Sequence, residues 1–455
     1  MPFRYGIATM TEVPHAILRL TFSFNGREQA GVAADSLPPK WFTKDPARSL
    51  PSELAEMYAV IHVAVRHAGE IRAPTAFAFW HELYARQTAW ASANKVPPLL
   101  AHFGTSLVER ALLEAQCRVH GVTLAAALQA NLLGLDLAAM HPQLAGSNAR
   151  DWLPAKPSAE VFARHTVGLS DPIVREEIPA GDEVNDGLPQ TLIECVRFYG
   201  LRHFKIKING DESRDRERLQ RIGKVFATEC QGEPAFSLDG NESFRDIPSF
   251  ADYMRRLMAV PELKSLWPRL LFIEQPWHRD VALSPTIGEL AQTWPDRPPI
   301  IIDESDAEVS SLAQALTLGY AGTSHKNCKG IFKSVANACL LAQRRRAGHA
   351  VVLSGEDLAN VGPVALTQDL AAAAALGITS VERNGHHYFA GLSQFPPALQ
   401  AHVLAHHSDL FVRSDQGWPR LNLRDGRLDL RSVNAAPFGV APGLDLSELT
   451  AETLP

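Results

Sequence analysis

The chain has 455 residues, 46% hydrophobic and 21% charged, with a formal net charge of −6. That length exceeds one ordinary hydrophobic core and sets two domains as the expectation. The composition excludes fibrous and disordered classes, and the negative balance excludes nucleic-acid binding through bulk electrostatics. The local basic run Arg344, Arg345 and Arg346 reads as the solvated end of a helix.

Five cysteines (Cys117, Cys195, Cys230, Cys328 and Cys339) form no CxxC pair. They fit reduced thiols better than a disulfide framework or a zinc site. The opening MPFRYGIATMTEV has no long apolar core of a signal peptide. No run approaches the ~18 apolar residues of a membrane span. The expectation is a cytoplasmic protein with neither membrane nor nucleic acid as partner.

In chain order, HAILRLTFSFNGREQAGVA at 15–33 largely alternates, and Asn25-Gly26 marks a hairpin turn. An amphipathic helix follows near 52–70, with Ser49 or Ser52 as its N-cap. Another helix, SLVERALLEAQCRVHG, runs from about 106 and stops at Gly121. Strands first and helices after them predict an α+β domain.

From about 160 the rhythm changes. Strands are expected at 165–169, 203–208, 235–239, 270–274, 299–303, 321–325, 350–354 and 378–382, with helix-like segments between most of them. Eight strands alternating with helices over ~220 residues match an α/β barrel of the (β/α)₈ type. A doubly wound open sheet is the alternative, but no GxGxxG follows the early strands and no P-loop occurs. The tail RLNLRDGRLDLRSV (420–433) is strand-like again, turns at Asp425-Gly426, and is expected to return to the N-terminal domain. The expected division is 1–155, 156–415 and 416–455.

Three of these strands end in acids: AFSLD at Asp239, RLLFIE at Glu274 and PPIIID at Asp303, spaced by 35 and 29 residues. Charged groups at the C-terminal ends of consecutive parallel strands face one barrel mouth. Three carboxylates with no sulfur or imidazole suit a hard cation, Mg²⁺ with Mn²⁺ as the alternative. A lone strand-end acid is commonly a helix cap or an arginine partner; three in consecutive units are harder to read that way.

Lysines flank the acids. In KIK, Lys205 and Lys207 share one face of a strand. A barrel strand's outer face is covered by helices and should be apolar, so the lysines are expected inward. Their proximity predicts that one is pushed toward a neutral amine able to act as a base. Lys326 follows the sixth strand, diametrically opposite the strand of Lys207. Lys329, a helical turn on, reads as a solvated helix start.

Weaker candidates are Asn241, which could orient a ligand, and Glu304, which could pair with a lysine. Glu356, Asp357 and Glu382 lie at the ends of the last two strands, while His278, His325, His386 and His387 read as loop or structural histidines.

The ordered set KIK (205–207), LDGN (238–241), FIEQP (272–276), IDES (302–305) and KNCKG (326–330) resembles the enolase superfamily, in particular its muconate lactonizing enzyme subgroup. The resemblance implies a modified TIM barrel, (β/α)₇β, with an α+β N-terminal capping domain completed by the C-terminal tail. It implies that Asp239, Glu274 and Asp303 bind Mg²⁺ and that Lys207 and Lys326 are opposed acid/base groups assisted by Lys205. The shared step is removal of a proton α to a carboxylate, giving an enediolate held by the metal. Asn241, Glu304, Glu356 and Glu382 fall around that set.

Departures narrow the reaction. Mandelate racemases carry a histidine on the seventh strand, where this chain reads SGED, and dipeptide epimerases carry Asp-x-Asp on the last, where it reads VERNGHH. The stretch NGHHYF (384–389) fits no family motif. The expected function is racemisation, epimerisation, cycloisomerisation or elimination on a small carboxylate, by a homo-oligomer. An acid-sugar dehydratase, a metal-dependent aldolase or hydrolase on a plain barrel, and a non-catalytic binding protein on the same scaffold are the alternatives.

Overall fold

A computed structural model describes residues 2–5 and 7–450. The chain opens with a short ribbon, β1 (Phe3–Tyr5) against β2 (Ala8–Met10), and then a long hairpin, β3 (His15–Phe24) and β4 (Arg27–Ser36). The hairpin turns where expected, with Asn25 and Gly26 both in the left-handed region at φ 51° and 82°. Three helices pack beside it: α1 (Leu50–Glu70), capped by Ser49, α2 (Ala76–Asn94), capped by Thr75, and α3 (Pro98–His120), closed by left-handed Gly121. The sequence reading places no helix at α2 and starts α3 later. The apolar residues of α2 spread around its axis, and most of α3 is buried on all sides, so neither end shows a clean amphipathic stripe. Gly31 of β4 lies so close to α3 that a Cβ there would sit 1.9 Å from the Ala111 carbonyl oxygen.

Eight parallel strands then close a barrel: β5 (Glu160–Val167), β6 (His203–Lys207), β7 (Ala235–Asp239), β8 (Leu270–Glu274), β9 (Ile300–Ile302), β10 (Gly322–His325), β11 (Val352–Gly355) and β12 (Ser380–Arg383), with β12 pairing β5. Seven of them lie within two residues of their expected positions. The first begins at Glu160 rather than 165, because inward Arg164 is neutralised by Glu356 and so hides a strand that reads as polar. Phe204, Ile206, Phe236, Leu238 and Ile273 form the buried outer face beneath the helices. This alternation turns Lys205 and Lys207 inward, as the apolar-outside argument requires.

The capping elements sit over the C-terminal mouth. Glu109 of α3 accepts hydrogen bonds from the backbone of Ile331 (3.0 Å) and Phe332 (2.6 Å), capping the helix Ile331–Arg346 of the barrel from another element. Asp35 of β4 pairs with Arg110 and accepts from Asn360 at 2.8 Å, a buried polar link between the cap and the loop after β11. After the barrel, β13 (Phe411–Arg413) and β14 (Pro419–Leu421) form a hairpin, and β15 (Arg427–Asp429) adds antiparallel to β5. The tail then reaches the cap side, where Pro437 and Val440 carbonyls accept from Leu124 (2.7 Å) and Arg118 (3.3 Å). Among the described residues no helix is long and apolar enough to cross a membrane.

Candidate active site at the barrel mouth

Asp239 ends β7, Glu274 ends β8 and Asp303 directly follows β9, and the register pairs Lys207 with Asp239 and Asp239 with Glu274. All three acids are buried, as are Lys205, Lys207 and Lys326. Lys207 donates to Asp239 Oδ2 at 2.5 Å, and Lys326 donates to Asp303 Oδ2 at 2.5 Å. Both lysines line one cavity together with Lys205, Asp239, Asn241, Asp303, Glu304, Glu382 and Asn384.

Lys205 sits deeper. Its ammonium meets Asp239 and Glu274 at 2.9 Å, Glu356 at 2.8 Å and Glu382 at 3.0 Å. Burial works against the charge, but the four carboxylates outweigh it and hold Lys205 well above the usual lysine range. The expectation that the lysine pair drives one member toward a neutral amine therefore fails for Lys205: the acids outnumber the neighbouring ammonium. Lys326 is likewise raised, burial being outweighed by Asp303.

The acids divide accordingly. Burial raises Asp303, yet Lys326, Lys329 and Lys205 hold it well below the carboxylate range. For Asp239, Lys205 and Lys207 overcome burial in the same way. Glu274 goes the other way, pushed well above normal by burial and then by Asp239 and Glu356, against the pull of Lys205. Lys205 aligns its hydrogen bond on Glu274 Oε1, leaving Oε2 without an aligned donor. Asn241 Oδ1 and Glu304 Oε2 are also buried without a partner. Excess carboxylate repulsion and orphaned oxygens around Asp239, Glu274 and Asp303 are what a hard divalent cation would relieve, so this donor set fits one.

Other candidates distribute unevenly. Asn241, in the left-handed region at φ 42°, donates its backbone N–H to Asp239 Oδ1 at 2.8 Å. Glu304 lines the cavity, but among the described residues it meets no lysine, contrary to expectation; burial and then Asp303 push it up to about 7. Glu356 lies below the cavity, tied to Arg164 and Lys205, whereas Glu382 accepts from Thr166 at 2.8 Å and reaches the cavity wall. Asp357 also lines the cavity and pairs with Arg383. His325 shares a hydrogen bond with Ser334 and His278 caps Asp280; neither lines the cavity.

Lys329 is not solvated. It is buried and donates to Asp303 O at 2.7 Å and Oδ1 at 2.8 Å. A 3₁₀ turn at Asn327–Lys329, followed by Gly330 at φ 100°, folds it back into the mouth. Its only sequence signal is its spacing of three from Lys326, which a helix start would share.

The sequence reading also missed the cap's contribution at the N-terminus. Phe3, Tyr5 and Met10 from the first ribbon line the cavity with Pro38, Trp41 and Leu358. The Trp41 ring centroid lies 4.8 Å from the Lys326 ammonium. Arg279 holds this loop down, donating to the carbonyls of Trp41 (3.0 Å) and Phe42 (2.9 Å) and to Glu242.

No family model matches the chain, and no curated protein matches it in sequence. Solved structures do share its fold. A mandelate racemase/muconate lactonizing enzyme from Bordetella bronchiseptica RB50 is 18% identical, with a TM-score of 0.56 over 95% of this chain and 97% of that one. An N-succinyl Arg/Lys racemase from Bacillus cereus ATCC 14579 is 14% identical, at 0.55 over 96% and 94%. A mandelate racemase/muconate lactonizing family protein from Azoarcus sp. EbN1 is 16% identical, at 0.54 over 97% and 96%. The architecture is therefore the capped, modified barrel of those proteins.

Proposed function

We propose that the chain is an isomerase or lyase that removes and returns a proton α to the carboxylate of a small organic acid. The carrying observation is that Lys207 and Lys326 come from opposed strands to one cavity, each bound at 2.5 Å to a different member of the acid set. That the shared fold includes a racemase agrees with this reading.

Asp239, Glu274 and Asp303 would hold one Mg²⁺, which supplies stabilisation for the negative charge that develops on the substrate carboxylate. The protein does the rest. Asp239 and Asp303 hold the Nζ atoms of Lys207 and Lys326 at hydrogen-bond distance on two sides of the cavity. One lysine then takes the α-proton at its Nζ while the other delivers a proton to the opposite face or to a leaving group. Lys205 remains a cation, fixed among its carboxylates in the cavity wall. Trp41 and the β1–β2 ribbon cover the reacting lysines and exclude water.

The cap's contribution to the wall is apolar, Phe3, Tyr5, Met10, Pro38 and Trp41, and Leu358 of the barrel adds to it. Hydroxyls of a sugar acid would meet few partners there, so the substrate is a small carboxylate with an apolar remainder, not a polyol acid. The test is proton NMR in D₂O with Mg²⁺ over a panel of such carboxylates. α-Proton exchange is expected, and its loss in Lys207→Ala and Lys326→Ala; exchange unchanged in both variants would refute the assignment.

A further inference from the structure

We propose that His165, His386 and His387 form a second, nitrogen-ligand metal site, for a zinc-class transition cation, on the outside of the seam where the barrel closes. Nothing in the carboxylate chemistry uses these residues.

The seam is the pairing of β12 with β5, in which Arg383 faces His165 and Glu382 faces Arg164. Arg164 and Thr166 point inward to Glu356 and Glu382. Strand alternation sends His165 to the outer face, where its ring meets Phe204 edge-on at 6.4 Å. Beyond β12 the chain turns at Asn384, whose backbone is pinned to Asp357 at 2.9 Å, and brings His386 and His387 back over that outer face. The Tyr199 hydroxyl fixes the return by donating to the His386 carbonyl at 2.6 Å.

One ligand atom from each ring lies within 4.8 Å of the others, and all three side chains are buried. His165 Nδ1 and His386 Nε2 share a 2.8 Å hydrogen bond. That single bond leaves His386 Nδ1 buried without a partner, and His387 has only the Thr166 backbone beside its ring nitrogens. Buried polar atoms left unpaired are costly, and a cation taking one lone pair from every ring would give His387 a partner that its neighbours do not supply. Burial holds His165 at about 3 and the other two well below the usual histidine range, so all three are neutral, which is the ligand form.

Three imidazoles select zinc, cobalt(II), nickel or copper over magnesium and leave a fourth position for water or a small anion. Metal–nitrogen bonds of about 2.0–2.1 Å need ring nitrogens roughly 3.3 Å apart. The His165–His386 hydrogen bond then opens by about half an ångström as the third ring moves in. The site would clamp the 384–387 segment to the first barrel strand and brace the seam beneath Glu382 and Asn384.

The test uses full-length, metal-stripped protein with excess Mg²⁺ to fill the oxygen site, titrated with Co²⁺ alone. One equivalent is expected to produce the intense visible absorption of a low-coordinate, nitrogen-ligated ion, to be displaced by Zn²⁺, and to raise Tm. His387→Gln is expected to lose both the absorption and the Tm gain while keeping Mg²⁺-dependent proton exchange. A wild-type protein showing only the weak absorption of octahedral Co²⁺ overturns the proposal, whether or not the variant folds. So does an intense band that survives in His387→Gln.

Discussion

Lys326 donates to Asp303 at 2.5 Å while its ammonium also faces the Trp41 ring at 4.8 Å, so one lysine joins the acid set to the cap. Lys207 makes the matching contact with Asp239 on the other side. Two bases on opposite faces predict face-specific defects. For a substrate whose α-proton is removed from either enantiomer, Lys326→Ala should abolish exchange of one and Lys207→Ala of the other. Losses of about 10²–10⁴-fold are expected, measured by exchange of each separated enantiomer in D₂O. Equal, partial loss for both enantiomers in both variants would remove the two-base arrangement.

Lys205 is surrounded by four carboxylates at 2.8–3.0 Å. Lys205→Met leaves those charges buried and uncompensated, and removing one partner of a buried ion pair costs about 3–5 kcal/mol. Urea unfolding should show that loss at neutral pH, and lowering the pH should recover part of it as the acids protonate. A variant as stable as the parent would mean the acids are neutralised in some other way.

Glu109 gives a stability dependence on pH away from the active site. Burial raises it from 4.5 to about 7, against the backbone hydrogen bonds of Phe332 and Ile331. A carboxyl raised in the folded state binds protons more tightly there, so its favourable contribution is present below about 4.5 and is lost as pH rises through 7. Between pH 5 and 8, Glu109→Gln should therefore gain stability relative to the parent, by up to about 3 kcal/mol. Denaturation midpoints of the two proteins across that range decide it; parallel curves would refute the shift.

Arg279 is the clasp between cap and mouth, bonded to Glu242 and to the carbonyls of Trp41 and Phe42. Arg279→Ala should release the segment carrying Trp41 and Lys44. Faster tryptic cleavage there and a KM raised about tenfold, with a smaller fall in kcat, are the expected results. Unaltered cleavage at Lys44 would show that the clasp does not hold the loop.

Much of this site was legible before folding. A barrel strand's outer face is covered by helices and should be apolar, so KIK was expected to point inward, and short apolar runs ending in acids were expected to deliver them to one mouth. Protonation was not legible. Two lysines at i and i+2 suggest mutual repulsion, but Lys205 meets Glu356 and Glu382 from strands more than a hundred residues away, and their charges reverse the sign. Lys329 misled for a local reason, since a three-residue turn has no periodicity to read and its direction hangs on the positive φ of Gly330.

The sequence by itself determined the alternating barrel, the strands that end in Asp239, Glu274 and Asp303, and the placement of Lys207 and Lys326 on opposed sides. These follow from short-range rules: period-two alternation, helix stops and the need to cover apolar surface. Only the tertiary structure decided which ammonium each acid holds, that Phe3, Tyr5, Met10 and Trp41 close the cavity, and that His165 meets His386 and His387. Those outcomes depend on contacts between elements far apart in the chain, where burial and summed charge, not local pattern, set the energy.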